Sequence, residues 1–427
     1  MVLLKRMTMA ISCIKGTQDF LDLSLYNFFI KKAKDHMYIY HFSEISTPIL
    51  EPVELFQRSL GEQSDIISKE MFLIANGEDK EERICLRPEG TAPAVRAFIE
   101  NNVQNTPWKI FLYGPMFRYE RPQKGRYRQF QQFSMEVIGS AAIAQDAQFI
   151  KMLERLFHET LMLNSFTIDL NFLGCLDDRV KYREKLYAFL TSPKAANICE
   201  TCKVRREKNI MRVFDCKSPI CQEIYKEAPY IADNLCKNCA SEWQELQDEL
   251  ELLSVSFSYR PTLVRGLDYY SKTVFEFSSG LLGAQNAFCG GGRYDMLAKE
   301  LGAKEDQPSV GAAIGIERLL LMLETIKDRL PIEQPPALHV IIPLGAEQKK
   351  LGLLLADELQ AKNLCTDILL EGDSVKSMMR QANKMGAAYC LILGEEEQKT
   401  KTVTVKNMVT GAEGRVAQVD AVAYLKK

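Results

Sequence analysis

Three prolines in eight residues, in LPIEQPPA from Leu330 to Ala337, constrain this chain more than any other stretch. Each proline removes a backbone donor and biases the residue before it toward an extended conformation, so neither a helix nor a central strand runs through the segment. It reads as a linker. At 427 residues the chain is also too long for one ordinary core, and its length suggests about two to four domains. The expected division is a large unit over residues 1–330 and a small one over 331–427. Beyond the linker, LHVIIPLG, AEQKKLGLLLADELQAKN, LCTDILL, SVKSMMRQANKMG and YCLILG alternate strand with helix, and KTVTVKNM and GRVAQVD add strands. That order predicts a small α/β domain with a mostly parallel sheet, mixed at one edge.

Before the linker the pattern differs. Leu23–Phe42 has apolar residues near helical spacing and runs into SEISTPILEP, where prolines force an extended path. RICLRPEGTAPAVRAFIENN predicts a strand, a turn at Pro88–Gly90 and a helix opening near Thr91. WKIFLYGPMFRYE and QFQQFSMEVIG are strand-like and joined by polar RPQKGRYR, which predicts an antiparallel hairpin with a long loop. From about 170 to 253 the chain is charged, cysteine-rich and poor in strand signal. This stretch reads as a mainly helical insertion between pieces of one sheet. Strands return with LVRGLDYYSKTVFEFSSG and AFCGGGRYD, and SVGAAIGIERLLLMLETI feeds an apolar helix.

Composition narrows the class. With 46% hydrophobic and 26% charged residues the chain reads as soluble and globular. No run of about 20 apolar residues and no signal-peptide pattern appears, so the expectation is a cytoplasmic protein without a membrane segment. Twelve scattered cysteines in a chain of this size are expected to be reduced thiols. A formal charge of −2 excludes a surface coated in nucleic-acid-binding charge, while leaving room for a local basic site.

One such site is plain. Five basic residues and one acid lie between Arg118 and Arg128, and the strand that follows alternates. Phe133, Met135 and Val137 share one face of it, and Gln132, Ser134 and Glu136 share the other. Amide, hydroxyl and carboxylate together suit a pocket floor better than a core. Arg118 ends the preceding strand, where a guanidinium can fork onto phosphate or carboxylate oxygens. The alternative is a solvated hairpin tip, which would leave Gln132 and Glu136 unexplained.

GPMFRYERPQKGRYRQFQQFSMEVIG resembles the second signature motif of class II aminoacyl-tRNA synthetases, in the form found in histidyl-tRNA synthetases. IKGTQDF, LRPEGT, LVRGLDYYSKTVFEF, CGGGRYD and GAAIGIERLLL are similar to that family's segments and follow its order, so the resemblance covers essentially the whole chain. It implies an α/β protein: an α+β catalytic domain with the class II antiparallel sheet and flanking helices, plus a small α/β anticodon-binding domain with a mixed sheet. It implies activation of L-histidine with ATP, aided by Mg2+, to histidyl-adenylate, followed by transfer to the terminal ribose of tRNA-His. By the same resemblance, Arg118 would contact the α-phosphate, Arg265 the same phosphate from the other side, and Arg318 the terminal phosphates. Two of these arginines could instead be structural ion-pair partners. Glu89, Gly90, Thr91 and Gln132 would help hold the amino acid, an anionic Glu89 facing its ammonium group. Glu136, Tyr269 and Tyr270 would surround the imidazole. In a straight strand the two tyrosines would face opposite ways, leaving one of them in the core.

Gly290, Gly291 and Gly292 fit either a pocket floor or a tight bulge. Pro48, in ISTPILEP, resembles the first class II motif, which implies a homodimer. The segment 331–427 has twelve Lys and Arg against twelve Asp and Glu, so RNA contact would have to come from one face. Half the cysteines fall between Cys199 and Cys239. Their two CxxC pairs make Cys199, Cys202, Cys236 and Cys239 the natural ligands of a thiolate Zn2+ site, with free thiols as the alternative. CKVRREKNIMR is locally basic and is expected to touch the tRNA acceptor arm. The rival readings are a histidine-sensing relative without catalysis, such as the regulatory subunit of ATP phosphoribosyltransferase, and an RNA-binding protein.

Overall fold

The apolar run before the basic loop and the alternating run after it pair as an antiparallel hairpin, Trp108–Phe117 against Gln129–Ile138. This hairpin belongs to an eight-stranded sheet in a computed structural model that describes residues 11–61, 64–75, 83–283, 286–372 and 374–426. Numbered along the chain, its strands are β1 (Ser43–Glu44), β5 (Trp108–Phe117), β6 (Gln129–Ile138), β7 (Thr167–Phe172), β8 (Ser258–Tyr259), β9 (Ser271–Ser278), β10 (Ala287–Arg293) and β11 (Ser309–Gly315). The spatial order is β1-β5-β6-β11-β10-β9-β7-β8. The six inner strands are mutually antiparallel, and each edge carries a two-residue parallel strand. Edge strands this short offer little template for unwanted pairing. Strands β2 (Leu50–Pro52), β3 (Leu73–Ile74) and β4 (Ile84–Leu86) form a separate small sheet in the order β2-β4-β3.

The period-two alternation of β6 divides the sheet into a dry face and a polar one. Phe133, Met135 and Val137 join Phe29, Phe111 and Phe275 in the main core, where Phe111 and Phe133 stack with ring centroids 5.3 Å apart. Helices Ser24–Ile39, Ala144–Arg155 and Ile316–Glu324 cover this face with apolar residues. Arg293, fully buried at the end of β10, donates from Nε to Asp146 at 3.0 Å and from Nη1 to the Ser140 carbonyl at 2.7 Å. A charge this deeply buried is tolerated because its hydrogen bonds are met, and it fixes the end of β10.

Between β7 and β8 lie helices Leu176–Leu190, Glu200–Lys208, Pro219–Tyr225 and Lys237–Leu252. The last of these returns to the main core through Leu246 and Leu250, and Trp243 packs 5.7 Å from Phe172. The insertion is therefore helical, and it is tied into the larger unit.

The chain divides into Met1–Ile332 and Glu333–Lys427, with the boundary inside LPIEQPPA. The second unit has its own five-stranded sheet of β12 (His339–Pro343), β13 (Thr366–Ile368), β14 (Tyr389–Leu393), β15 (Thr402–Asn407) and β16 (Glu413–Ala417). The order is β13-β12-β14-β15-β16, parallel on one side of β14 and antiparallel on the other. Among the described residues no helix is long and apolar enough to cross a membrane.

Candidate functional site

A cavity of about 320 Å³ opens over the polar face of the large sheet. Its floor is β6, β10 and β11, and one wall is the turn that leads from β4 into helix Thr91–Glu100. Arginines gather at one end of it and a hydrogen-bonded carboxyl group lies at the other.

Arg118 leaves the end of β5, donates from Nε to the Pro88 carbonyl at 2.8 Å and lies 5.3 Å from the Phe130 ring. Among the described residues it forms no ion pair. Burial lowers its pKa, and the nearby Glu70 and Glu89 oppose that. Arg318, in the first turn of helix Ile316–Glu324, donates to the carbonyls of Gly125 and Ala287 at 2.8 and 2.7 Å. Those partners are neutral. Burial, with Arg126 and Arg118 adding to it, lowers its pKa to about 10, so the side chain remains a cation at neutral pH. Arg265 lies across β10 and pairs with Glu276 of β9 at 2.6 Å. Burial pulls its pKa down, and Glu276, with Tyr270, Cys289 and Tyr269 adding to it, more than restores it. Its Nε is buried without a hydrogen-bond partner. A β-carbon at Gly290 would overlap this guanidinium, so the glycine is what lets Arg265 lie flat on the strand.

At the other end, Glu89 caps helix Thr91–Glu100: its two oxygens accept from the backbone N–H of Thr91 and Ala92 at 2.7 and 2.8 Å. Burial raises its pKa, and these two bonds and Arg118 oppose the rise. Thr91 Oγ1 donates to Glu136 Oε1 at 2.8 Å, and the Tyr294 hydroxyl donates to Glu136 Oε2. Burial pushes the Glu136 carboxyl up to about 8 against those two donors. A β-carbon at Gly311, its partner in register on β11, would collide with this carboxyl. Gln132 Oε1 and Ser134 Oγ are buried without partners, which leaves acceptor and hydroxyl capacity on the floor. Tyr269 and Tyr270 line the side, their ring centroids 4.6 Å apart.

Cations facing a buried, polar recognition end suit an anionic nucleotide set against a small polar molecule. Comparison with known proteins decides which. Residues 29–319 match the family model described as histidyl-tRNA synthetase, and residues 339–427 match the one described as anticodon binding domain. The histidine–tRNA ligase of Thermodesulfovibrio yellowstonii is 40% identical over 98% of this chain and 99% of its own length. That of Fervidobacterium nodosum is 43% identical over 93% of this chain and 94% of its own. The chain belongs to the histidyl-tRNA synthetase family. The crystal structure of the apo histidyl-tRNA synthetase of S. aureus superposes with a TM-score of 0.78 at 30% identity, covering 98% of this chain and all of the other. The Nostoc synthetase has the same fold at 20% identity and a TM-score of 0.64.

Of the residues that the synthetase motifs single out for this site, Arg118, Arg265, Arg318, Glu89, Thr91, Gln132, Tyr269 and Tyr270 line the cavity, Gly90 lies in the turn that forms one wall, and Glu136 lies behind the lining, bonded to Thr91. Three details differ from expectation. Tyr269 and Tyr270 precede β9, which begins at Ser271, so strand alternation does not apply and both side chains reach the cavity. Arg265 is both a cavity residue and an ion-pair partner. Tyr294 and Glu276, which bond Glu136 and Arg265 from outside the lining, were not singled out. Tyr294 sits inside CGGGRYD, but nothing local marks it as the partner of a carboxyl 158 residues away. Arg212, from the insertion, also lines the cavity.

The cysteines do not group as their spacing suggested. Cys199 and Cys202 lie with Cys216 and Cys221, whereas Cys236 and Cys239 lie with Cys175 and Asp178. The set Cys199, Cys202, Cys236, Cys239 is therefore ruled out as one ligand group. The reason is topological. The chain turns back through Ile210–Asp215 and brings its CxxxxC against the first CxxC, while the second CxxC opens helix Lys237–Leu252 beside helix Leu176–Leu190.

Proposed function

We propose that this chain activates L-histidine with ATP and transfers it to tRNA-His, using the cavity as its active site. The observation that carries the assignment is the meeting of Arg118 and Arg318, which have neutral acceptors only, with the buried Glu136–Thr91–Tyr294 network. The histidine carboxylate oxygen attacks the α-phosphorus of ATP, and the bond to the bridging oxygen breaks to release pyrophosphate. Negative charge builds on the phosphoryl oxygens in that step, and Arg118 and Arg265 would stabilise it from two sides. Arg318 would hold the terminal phosphates. A ribose hydroxyl of the tRNA end then attacks the carbonyl carbon, and AMP leaves.

Glu136 and Tyr294 would read the imidazole, with Tyr269 and Tyr270 as walls. A site built to hydrogen-bond both ring nitrogens rejects analogues that leave those groups unpaired. Glu89 and Gln132 would meet the ammonium group, and Gly90 and Thr91 shape the turn beside it. Magnesium, which takes oxygen ligands, fits the donors at the arginine end, where Glu70 and Glu120 line the cavity. Bound with ATP, it would neutralise charge on the phosphates.

Residues 1–330 are assigned catalysis and 331–427 anticodon recognition, in a cytoplasmic homodimer. Exposed Ile49 and Leu50 beside Pro48, with Leu73 and Ile74 on the same small sheet, supply apolar surface for a subunit contact. Sedimentation analysis of the purified chain should give twice the monomer mass. The function itself is tested by exchange of labelled pyrophosphate into ATP, without tRNA, in the presence of each amino acid in turn. Exchange with histidine alone is expected. Its absence in folded protein that still binds histidine would mean a sensor rather than a ligase.

A further inference from the structure

We propose that Cys199, Cys202, Cys216 and Cys221 form a tetrahedral zinc site that pins the insertion where it forms part of the cavity wall. The four sulfurs all lie within 4.8 Å of one another, and Cys199 and Cys216 are 3.8 Å apart. Zinc–sulfur bonds of about 2.3 Å at tetrahedral angles set the ligand sulfurs about 3.8 Å apart. None of the four is in a disulfide.

The surroundings also suit thiolates on a metal. Cys221 Sγ accepts from the Cys199 backbone N–H at 3.2 Å, and Cys216 Sγ accepts from that of Ser218 at 3.4 Å. Such bonds orient the sulfurs and offset their charge. Cys202, Cys216 and Cys221 are buried in one cluster with Val213, Phe214 and Tyr225, so water is kept out. Four thiolates on Zn2+ leave a net charge of −2, and the adjacent KVRREK run supplies cations for it. The other cysteine group has an account that needs no metal: Asp178 spends its oxygens on the backbone N–H groups of Cys236 and Cys175, at 2.9 and 3.4 Å.

Closing 199–221 on a metal fixes the segment between the two cysteine pairs. That segment, 203–215, ends in the turn Ile210–Asp215, whose Arg212 lines the cavity while pairing with Asp65 at 3.0 Å and Asp215 at 3.4 Å. The zinc would therefore hold Arg212 in place from behind without touching substrate.

The test is metal analysis of the full-length chain purified without added chelator, in a form lacking a histidine tag. Close to one zinc per chain is expected, released by a mercurial thiol reagent as four thiols react. Cys216→Ser and Cys221→Ser should lower zinc content about tenfold, because each removes a ligand on which affinity depends, while Cys236→Ser keeps it. Should the serine variants fail to fold, cobalt(II) added to chelator-treated wild-type protein should give the charge-transfer and ligand-field bands of a tetrahedral tetrathiolate. Limited trypsin digestion should cut between Arg205 and Lys217 only after chelation. A wild-type chain with no zinc and no cobalt bands, or one that loses its zinc on Cys236→Ser and keeps it on Cys216→Ser, overturns the proposal.

Discussion

Arg265 reaches the cavity together with its counter-ion, and that pairing governs how its removal will read. Replacing it leaves the Glu276 carboxylate partly buried with no cation, a cost to folding that is separate from any cost to catalysis. Arg265→His should lower histidine-dependent pyrophosphate exchange by about 10²- to 10³-fold, the usual loss for one preorganised donor at a developing charge. The double variant Arg265→Gln/Glu276→Gln should recover the thermal midpoint and leave exchange low. If exchange returned along with the midpoint, the role assigned to Arg265 would be wrong. Glu136 makes a second expectation at this scale. Its carboxyl is raised to about 8 by burial, so the folded state holds a proton that the unfolded chain releases near pH 4.5. Its contribution is then fully present below pH 4.5 and is lost as pH rises toward 8. Unfolding curves of the wild type and Glu136→Gln between pH 5 and 9 should show the wild type losing stability relative to the variant as pH rises. Parallel curves would mean that the carboxyl is ionised throughout.

At the scale of the element, β10 works because part of it has no side chains. Gly290 stands opposite Glu276 in register, and the Arg265 guanidinium occupies the space that a β-carbon would fill. Gly290→Ala should therefore displace Arg265 and reproduce its loss of exchange, while circular dichroism and the thermal midpoint change little. A fully active Gly290→Ala protein would show that the guanidinium need not lie there. The same element marks the limit of what the chain reveals before it folds. The alternation of β6 was legible, because a period of two sorts Phe133 from Glu136 without knowledge of any neighbour. The turn at Pro88–Gly90 and the helix start at Thr91 were legible from local chemistry. Glu276 and Tyr294 were not, because each acquires its meaning from a residue that only strand order brings near. Tyr269 and Tyr270 were misread for a smaller reason: the apolar run continues smoothly into β9, and no residue announces that the strand begins at Ser271. The cysteines failed as the strands did, since spacing along the chain could not reveal that a second turn folds Cys216 and Cys221 onto Cys199.

At the scale of the molecule, the linker separates two units that each hold their own core. The second unit packs Ile341, Leu355, Leu359 and Leu391 on one side of its sheet and Val340, Ile342 and Met378 on the other. Every residue assigned to adenylate chemistry belongs to the first unit. A chain ending at Ile332 should therefore keep histidine-dependent pyrophosphate exchange. Transfer to tRNA is different if both units grip one RNA, because the linker makes the second contact intramolecular and multiplies affinity. Losing that contact should raise the KM for tRNA by on the order of 10²-fold or more, with the KM values for histidine and ATP little changed. The balanced charge of residues 331–427 adds a condition to this. A neutral domain that binds RNA by stacking and base-edge hydrogen bonds releases few counterions. The gap in tRNA affinity between the full chain and the shortened one should then vary little with salt. A gap that closes steeply as salt rises would place the second unit's grip on phosphates, and a shortened chain that is folded yet inactive in exchange would mean that the cavity depends on the second unit.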